Sequence, residues 1–290
     1  MDVRTKRLIE IHIAVLLFGL TGLFGKFLHI PAQYIVLGRV FFASLSIGLF
    51  LALRREDARL HSFGDYAIVV AMGVLLAVHW TAFYKSVQVS TVAIALLTFS
   101  AYPLFVTFLE PAMFQERLKK IDLLCALAMF AGVLLIVPSF DLDNNLTVGT
   151  LWGMFGCVTF AVMSLLNRKL ASRYQGSVIA FYEQGVASLV LLPMLLFHRP
   201  TMTGADWGLV ILLGVVFTGL AHSLFIGGMK TVRAQTAGII ASLETVYGIL
   251  FAALLLGEVP SLREVIGGVV ILGSALYSTA CSSKEKTAST

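Results

Sequence analysis

Apolar runs of about twenty residues, parted by short polar connections, recur from one end of the chain to the other. Ten can be marked: Leu8–Leu28, Ala32–Leu53, Tyr66–Val87, Val89–Phe114, Ile121–Val137, Val148–Leu170, Val178–Phe197, Trp207–Met229, Thr236–Leu256 and Leu262–Cys281. A helix rises 1.5 Å per residue, so about twenty residues match a hydrocarbon core roughly 30 Å thick. Lipid cannot satisfy exposed backbone groups, and the alternating ten-residue strands of a barrel are absent from the pattern. The pattern predicts an all-α integral membrane protein with ten transmembrane helices.

Composition agrees: 58% of the 290 residues are hydrophobic and 13% are charged, against about 25% charged in soluble domains. The net charge of +5 is explained by topology rather than by nucleic acid. With the N-terminus inside, Arg4, Lys6, Arg7, Arg54, Arg55, Arg59, Arg117, Lys119, Lys120, Arg168, Lys169, Arg173, Lys230, Arg233, Lys284 and Lys286 fall on the cytoplasmic side. Only Lys26, Lys85, Arg199 and Arg263 fall outside, and Arg39 lies within a helix. This asymmetry follows the positive-inside rule and predicts both termini in the cytoplasm, which for a bacterial protein means the inner membrane. The first run contains Glu10, His12 and Lys26 and is followed by no small-residue cleavage site, so it reads as a retained helix. Cys125, Cys157 and Cys281 lie in apolar runs without metal-ligand spacing and read as small core residues.

The chain divides into residues 1–140 and 147–281, five runs each, followed by a polar tail at 282–290 expected to be disordered. Lys85–Ile94 can be laid over Lys230–Ile239 with Lys, Val, Thr and Ile in register, and Gln115-Glu116 over Gly257-Glu258. Five is odd, so equivalent loops face opposite sides of the membrane. Inverted repeats of this kind let transporters build two exchangeable gates around a midplane site.

On these residues the chain resembles the EamA-type, ten-helix branch of the drug/metabolite transporter superfamily. The resemblance rests on Gly19 and Lys26 in the first run, on Leu37-Gly38-Arg39 followed by Ala43, and on Gly257-Glu258-Val259-Pro260 followed by Gly267, Gly268 and Gly273. The first half has Gln115-Glu116-Arg117-Leu118 and Gly132 in the corresponding places. It departs from the family pattern at Phe18, where a tryptophan is usual, and at Glu244-Thr245, where glutamate-proline is common. The resemblance implies a central cavity lined by helices one to four and six to nine, and export of amino acids or other small metabolites, with some members importing.

Ionisable groups inside a membrane cost about 2.5–3.5 kcal/mol on insertion scales and invite a functional reading. Arg39, deep in the second run, calls for a carboxylate, carbonyl oxygens or an anionic substrate group. Glu183 and Glu244 are its candidate partners, either as a structural ion pair or as substrate and proton groups. Glu183 is the favoured proton carrier, with snorkelling to the headgroups as the plainer alternative. His79 and His222 are candidates for proton relay or carboxylate binding, or ordinary interhelical hydrogen-bonders. Trp80 and Tyr102 are candidate walls of the cavity, and scattered aromatics also serve as packing. Pro103 is a candidate hinge midway along the fourth helix, and Glu116 and Glu258 are candidate gates that alternatively cap helices or pair with basic groups.

No Gly-x4-Gly-Lys-Ser/Thr segment supports ATP coupling, and no cofactor or metal is expected; a proton gradient is the candidate energy source. An intramembrane enzyme would need a clustered nucleophile, base or metal set, which the runs lack. The expected partners are a small-molecule substrate and the bilayer, and the expected activity is secondary transport by alternating access. Uptake or facilitated passage of a cationic or nucleoside-like nutrient is the alternative.

Overall fold

The computed structural model describes residues 3–115, 118, 120–137, 139, 141–229, 232 and 234–288, with side-chain surroundings for all of these but 3, 4, 234, 235, 238 and 279–288. The described residues are helical throughout, with no strand. In chain order the helices are α1 (Val3–Thr21), α2 (Phe24–Phe27), α3 (Ala32–Arg54), α4 (Phe63–Val89), α5 (Val92–Phe99), α6 (Tyr102–Phe114), α7 (Lys120–Ile136) and α8 (Asn145–Ala171). They continue as α9 (Gly176–Leu191), α10 (Met194–Phe197), α11 (Gly204–Gly214), a π-helical turn (Val215–Leu220), α12 (Ala221–Met229), α13 (Ala234–Ala241), α14 (Leu243–Leu256) and α15 (Leu262–Ala288).

Among the described residues eight spans are long and apolar enough to cross a bilayer: Thr5–Phe27, Ala32–Arg54, Phe63–Val89, Val92–Phe114, Asn145–Ala171, Gly176–Phe197, Gly204–Met229 and Ile239–Leu256. The protein is an integral membrane protein. Its outward faces carry apolar side chains that water would reject, such as Leu53 at 76% and Leu254 at 77% exposure, and acyl chains are their natural neighbours. The run Ile121–Val137 forms α7, of 17 residues, and the final run forms α15, whose backbone continues to Ala288. A disordered tail was expected from residue 282, so the helix outlasts its apolar stretch.

Local chemistry sets the helix ends. Ser62, Thr91 and Asn144 accept backbone hydrogen bonds at the starts of α4, α5 and α8, and Thr203 with Asp206 forms a capping box on α11. Gly257 ends α14 at φ +69°, a conformation that glycine adopts without a Cβ penalty.

Small residues set the packing. A Cβ on Gly19 of α1 would stand 2.8 Å from the Glu244 carbonyl oxygen, and one on Gly248 of α14 would stand 2.8 Å from the Gly19 carbonyl oxygen. The two backbones meet there. Gly132 of α7 and Gly267 of α15 are matched in the same way, at 3.0 and 2.8 Å from each other's carbonyl oxygens. These glycines work as close-approach points, as expected of membrane helices that associate by packing.

Candidate functional site: a guanidinium among broken helices

Five of the spans are interrupted: Gly176–Phe197 breaks at Leu192-Pro193, and four others break as well. The first breaks at Gly22-Leu23, between α1 and α2; another at Ser100-Ala101, between α5 and α6; another at Ser242, between α13 and α14. The fourth carries the π-helical turn Val215–Leu220. Ser100 and Ser242 each stand sixteen residues before the glutamates Glu116 and Glu258, and each is followed two positions later by a candidate site residue, Tyr102 or Glu244. Ser100 Oγ lies 2.6 Å from Thr245 Oγ1, so the two breaks touch across the halves.

Each interruption frees backbone groups. At the first break Gly25 donates to the Gly22 carbonyl rather than to Thr21, and the Thr21 carbonyl instead accepts the Tyr84 hydroxyl at 3.1 Å. In the π-helical turn the Thr218 hydroxyl donates to the Leu213 carbonyl, five residues back, at 2.9 Å. Both hydroxyls have then spent their proton and present lone pairs.

Arg39 of α3 uses those lone pairs. It is 1% exposed, donates from Nε to Thr218 Oγ1 at 2.9 Å and from Nη1 to the Tyr84 hydroxyl at 3.2 Å, and lies 3.5 Å above the centre of the Trp80 ring. The expected carboxylate partner is not in contact. Neither Glu183 of α9 nor Glu244 of α14 hydrogen-bonds or pairs with Arg39; its partners are Thr218 and Tyr84. Two neutral oxygens and an indole face hold the cation instead.

Around this centre the rings form a continuous wall. His79 contacts Trp80 at 5.0 Å and Phe160 at 5.0 Å, and Phe160 contacts Tyr102 and Phe99, each at 4.9 Å. His79 Nδ1 lies 2.9 Å from the Gly156 carbonyl oxygen. A carbonyl only accepts, so Nδ1 carries the proton and Nε2 presents a lone pair, which no group meets among the described residues. His222 packs edge-on against Phe18, with ring centres 5.2 Å apart, and its Nδ1 is likewise unmet.

Glu183 is buried at 6% exposure, and its Oε1, like that of the adjacent Gln184, finds no partner among the described residues. It does not snorkel. Pro103 was expected as a mid-helix hinge and instead stands in the first turn of α6, after the break at Ser100-Ala101, where its missing N–H costs nothing. Glu116 lies outside the described residues.

Glu258 stands at one end of the bundle. Its Oε2 accepts the Val92 backbone N–H at 2.8 Å and its Oε1 lies 3.3 Å from Lys26 Nζ, which also reaches the Ser90 carbonyl at 2.6 Å. One carboxylate thus ties α2, the start of α5 and the end of α14 together. The other end is joined differently, by Arg168 with Glu110 and by Asp65, which pairs with Arg173 at 3.1 Å and accepts the Tyr174 hydroxyl at 2.7 Å.

Of the residues expected from sequence, the structure links Arg39, Trp80, His79 and Tyr102 through stacking and ring contacts, while His222 packs on Phe18 and Glu244 meets Gly19 through its backbone carbonyl. Sequence reasoning had passed over Tyr84 as a site residue and missed Thr218 and Thr21. A threonine in an apolar run gives no warning that it will hold a guanidinium, and the π-helical turn that aims it has no sequence signature.

The model of the EamA-like transporter family matches residues 7–137 and again 147–280. The chain belongs to that family. This EamA-like transporter is 24% identical over 279 residues to the uncharacterized transporter YxxF of Bacillus subtilis, covering 94% of this chain and 89% of that one. It is 28% identical over 249 residues to the pseudopaline exporter CntI of Pseudomonas aeruginosa, covering 84% of each. It is 25% identical over 262 residues to the biotin transporter of Escherichia coli, covering 88% of this chain and 86% of that one. A protein of known crystal structure superposes with a TM-score of 0.68 at 18% identity, over 95% of this chain and 96% of the other, a likeness of fold.

Proposed function

We propose that this EamA-like transporter is a secondary exporter of amino acids or similar small polar metabolites, working by alternating access around a central site at Arg39. In this reading ten helices cross the bacterial inner membrane as two inverted five-helix repeats, with both termini in the cytoplasm. The observation that carries it is Arg39, a buried cation with no carboxylate in contact, seated where interrupted spans meet. Such a charge is costly in a membrane unless it has work there, and broken helices at mid-depth are how transporters expose polar backbone to cargo.

The glutamate latch supports the same reading. In this reading Glu258 with Lys26 ties together the end assigned to the outer face. Glu183, buried with its Oε1 unpartnered among the described residues, is the proposed proton carrier, which would couple export to the proton gradient without a cofactor. The relatives include a named exporter and a protein named for biotin transport; direction follows from the coupled gradients rather than from the fold.

The test is flux. Purified protein in proteoliposomes loaded with a metabolite mixture, under an imposed pH gradient, should deplete specific solutes from the lumen as followed by mass spectrometry. Proteoliposomes through which no solute passes, from correctly folded protein, would overturn the proposal.

A further inference from the structure

Away from Arg39, a groove of about 1020 Å³ lies between α3, α9 and the first half of α4. That is more than a single side chain fills, and it stands at the upper end of small-molecule clefts, roughly 300–1,000 Å³. Its floor is closed where α3 and α9 approach: a Cβ on Gly48 would stand 2.8 Å from the Phe181 ring, and one on Gly185 would stand 3.2 Å from Ser44 Oγ. Its rim carries Leu45, Leu49 and Leu189, all exposed. The walls are predominantly apolar, so water is a poor occupant, and hydrocarbon from the surrounding bilayer is a good one.

The groove has the depth of one leaflet. Along α3 it extends from Phe41, near the middle of the span, to Ala52, a rise of about 16 Å at 1.5 Å per residue; half of a hydrocarbon core is about 15 Å. Phe41, Phe42 and Val215 line the deep end. Tyr66 and Tyr182 line the other, edge-on with ring centres 5.9 Å apart, and tyrosine is a residue that membrane proteins place at the headgroup level.

Beyond the tyrosines the chain is basic. Arg54 ends α3, and Arg55 follows one turn after Ala52 in the left-handed conformation that closes the helix. Both are exposed, and neither takes part in an ion pair among the described residues. The carboxylates of the same connection are engaged locally: Glu56 accepts the Ser177 hydroxyl at 3.5 Å, and Asp57 accepts the Arg59 backbone N–H at 2.9 Å. Three arginines against two carboxylates leave residues 54–59 net positive.

We propose that the groove holds an acyl chain of one phospholipid from the leaflet on the Arg54 side, with the phosphate of that lipid received by Arg54 and Arg55. Guanidinium groups take phosphate through charge-assisted, paired hydrogen bonds. Tail and headgroup define the ligand together: a tail without phosphate would fill the groove and leave the arginines unmatched. The site requires only that the chain lies in a bilayer and is independent of what is transported. Val215 begins the π-helical turn that carries Thr218, so the lipid tail lies against the backbone that positions a partner of Arg39.

The experiment is native mass spectrometry of the delipidated protein in detergent, titrated with dioleoylphosphatidylglycerol and with dioleoylglycerol, which has the same tails and no phosphate. The expected result is one saturable phosphatidylglycerol site, at least about fivefold tighter than that for the diacylglycerol. Arg54→Gln combined with Arg55→Asn, asparagine being tolerated in the left-handed conformation, should bring phosphatidylglycerol down to the level of the diacylglycerol and leave the latter unchanged. Ala52→Trp fills the mouth and should remove the site for both lipids. All three positions are exposed, so these variants keep the fold. Equal affinity for the two lipids, or phosphatidylglycerol binding unmoved by the arginine pair or by Ala52→Trp, would overturn the assignment. So would a dimer that Ala52→Trp converts to monomer, which would give the groove to a second copy of the chain.

Discussion

The guanidinium of Arg39 rests on the indole of Trp80, 3.5 Å from its ring centre, with Thr218 and Tyr84 holding its edge. The stack offsets part of the desolvation that a buried cation suffers, by about 0.5–2 kcal/mol, and it fixes where the remaining donors point. The relationship crosses from α3 to α4, so it also fixes two helices to one site.

Trp80→Leu should therefore cost more in substrate recognition than in folding. The expected result is an apparent KM for exported metabolite raised about 3–30-fold, with a thermal midpoint within a few degrees of wild type, and Trp80→Phe intermediate. A Trp80→Leu protein with unchanged KM would mean the ring only packs.

Glu183 is predicted to carry the coupled proton. Glu183→Gln is nearly isosteric and should abolish flux driven by a pH gradient while retaining exchange of solute for solute across proteoliposomes. Undiminished pH-driven flux would remove Glu183 from the coupling mechanism.

The Lys26–Glu258 latch is a closure of one end, and its loss should shift the population of states. Glu258→Gln removes both the ion pair and the charged cap of the Val92 N–H, a loss of about 1–3 kcal/mol. Phe83, buried and sharing with Val92 the contact range of a Cβ on Gly22, provides the reporter. A Phe83→Cys thiol should react with a membrane-impermeant maleimide about tenfold faster in the Glu258→Gln background, and Lys26→Met should add little on top because both act on one interaction. Equal rates in both backgrounds would deny the latch a gating role.

Gly19 should be the least replaceable of the glycines tested. Gly19→Val forces a side chain against the Glu244 carbonyl and the Tyr247 Cβ at 2.8 and 2.9 Å, with an expected destabilisation of about 1–3 kcal/mol. Gly208→Ala meets nothing within 4 Å and should stay within about 0.5 kcal/mol of wild type. Thermal unfolding in detergent separates the two.

How far the sequence reached is seen best residue by residue. The apolar runs foretold the helices because bilayer thickness dictates their length, and Arg39, His79 and Glu244 stood out because ionisable groups in such runs are few, whereas Trp80 and Tyr102 are two among many aromatic residues, 11% of the chain. Their contacts were not legible. A carboxylate, carbonyl oxygens or an anionic substrate group was expected against Arg39, yet the groups that meet it are hydroxyls whose roles depend on a freed Thr21 carbonyl and a π-helical turn, features of backbone geometry rather than composition. Pro103 signalled a disturbance midway along the fourth span, and the break lies at Ser100-Ala101 just before it, with Pro103 in the first turn of the helix that follows. Glu258 was legible as a gate candidate, while its bond to the Val92 amide required the tertiary fold.

Everything about gating depends on the two halves being inverted, which places the connection after α6 and the connection after α14 on opposite sides of the membrane. The most direct measurement is thiol labelling of Gln115→Cys and Val259→Cys in sealed vesicles of known orientation, both positions being exposed, with the native cysteines replaced. The inverted arrangement predicts that an impermeant maleimide labels one position from outside and the other only after the vesicles are opened, with Gln115→Cys on the cytoplasmic side. Labelling of both from the same side would contradict it.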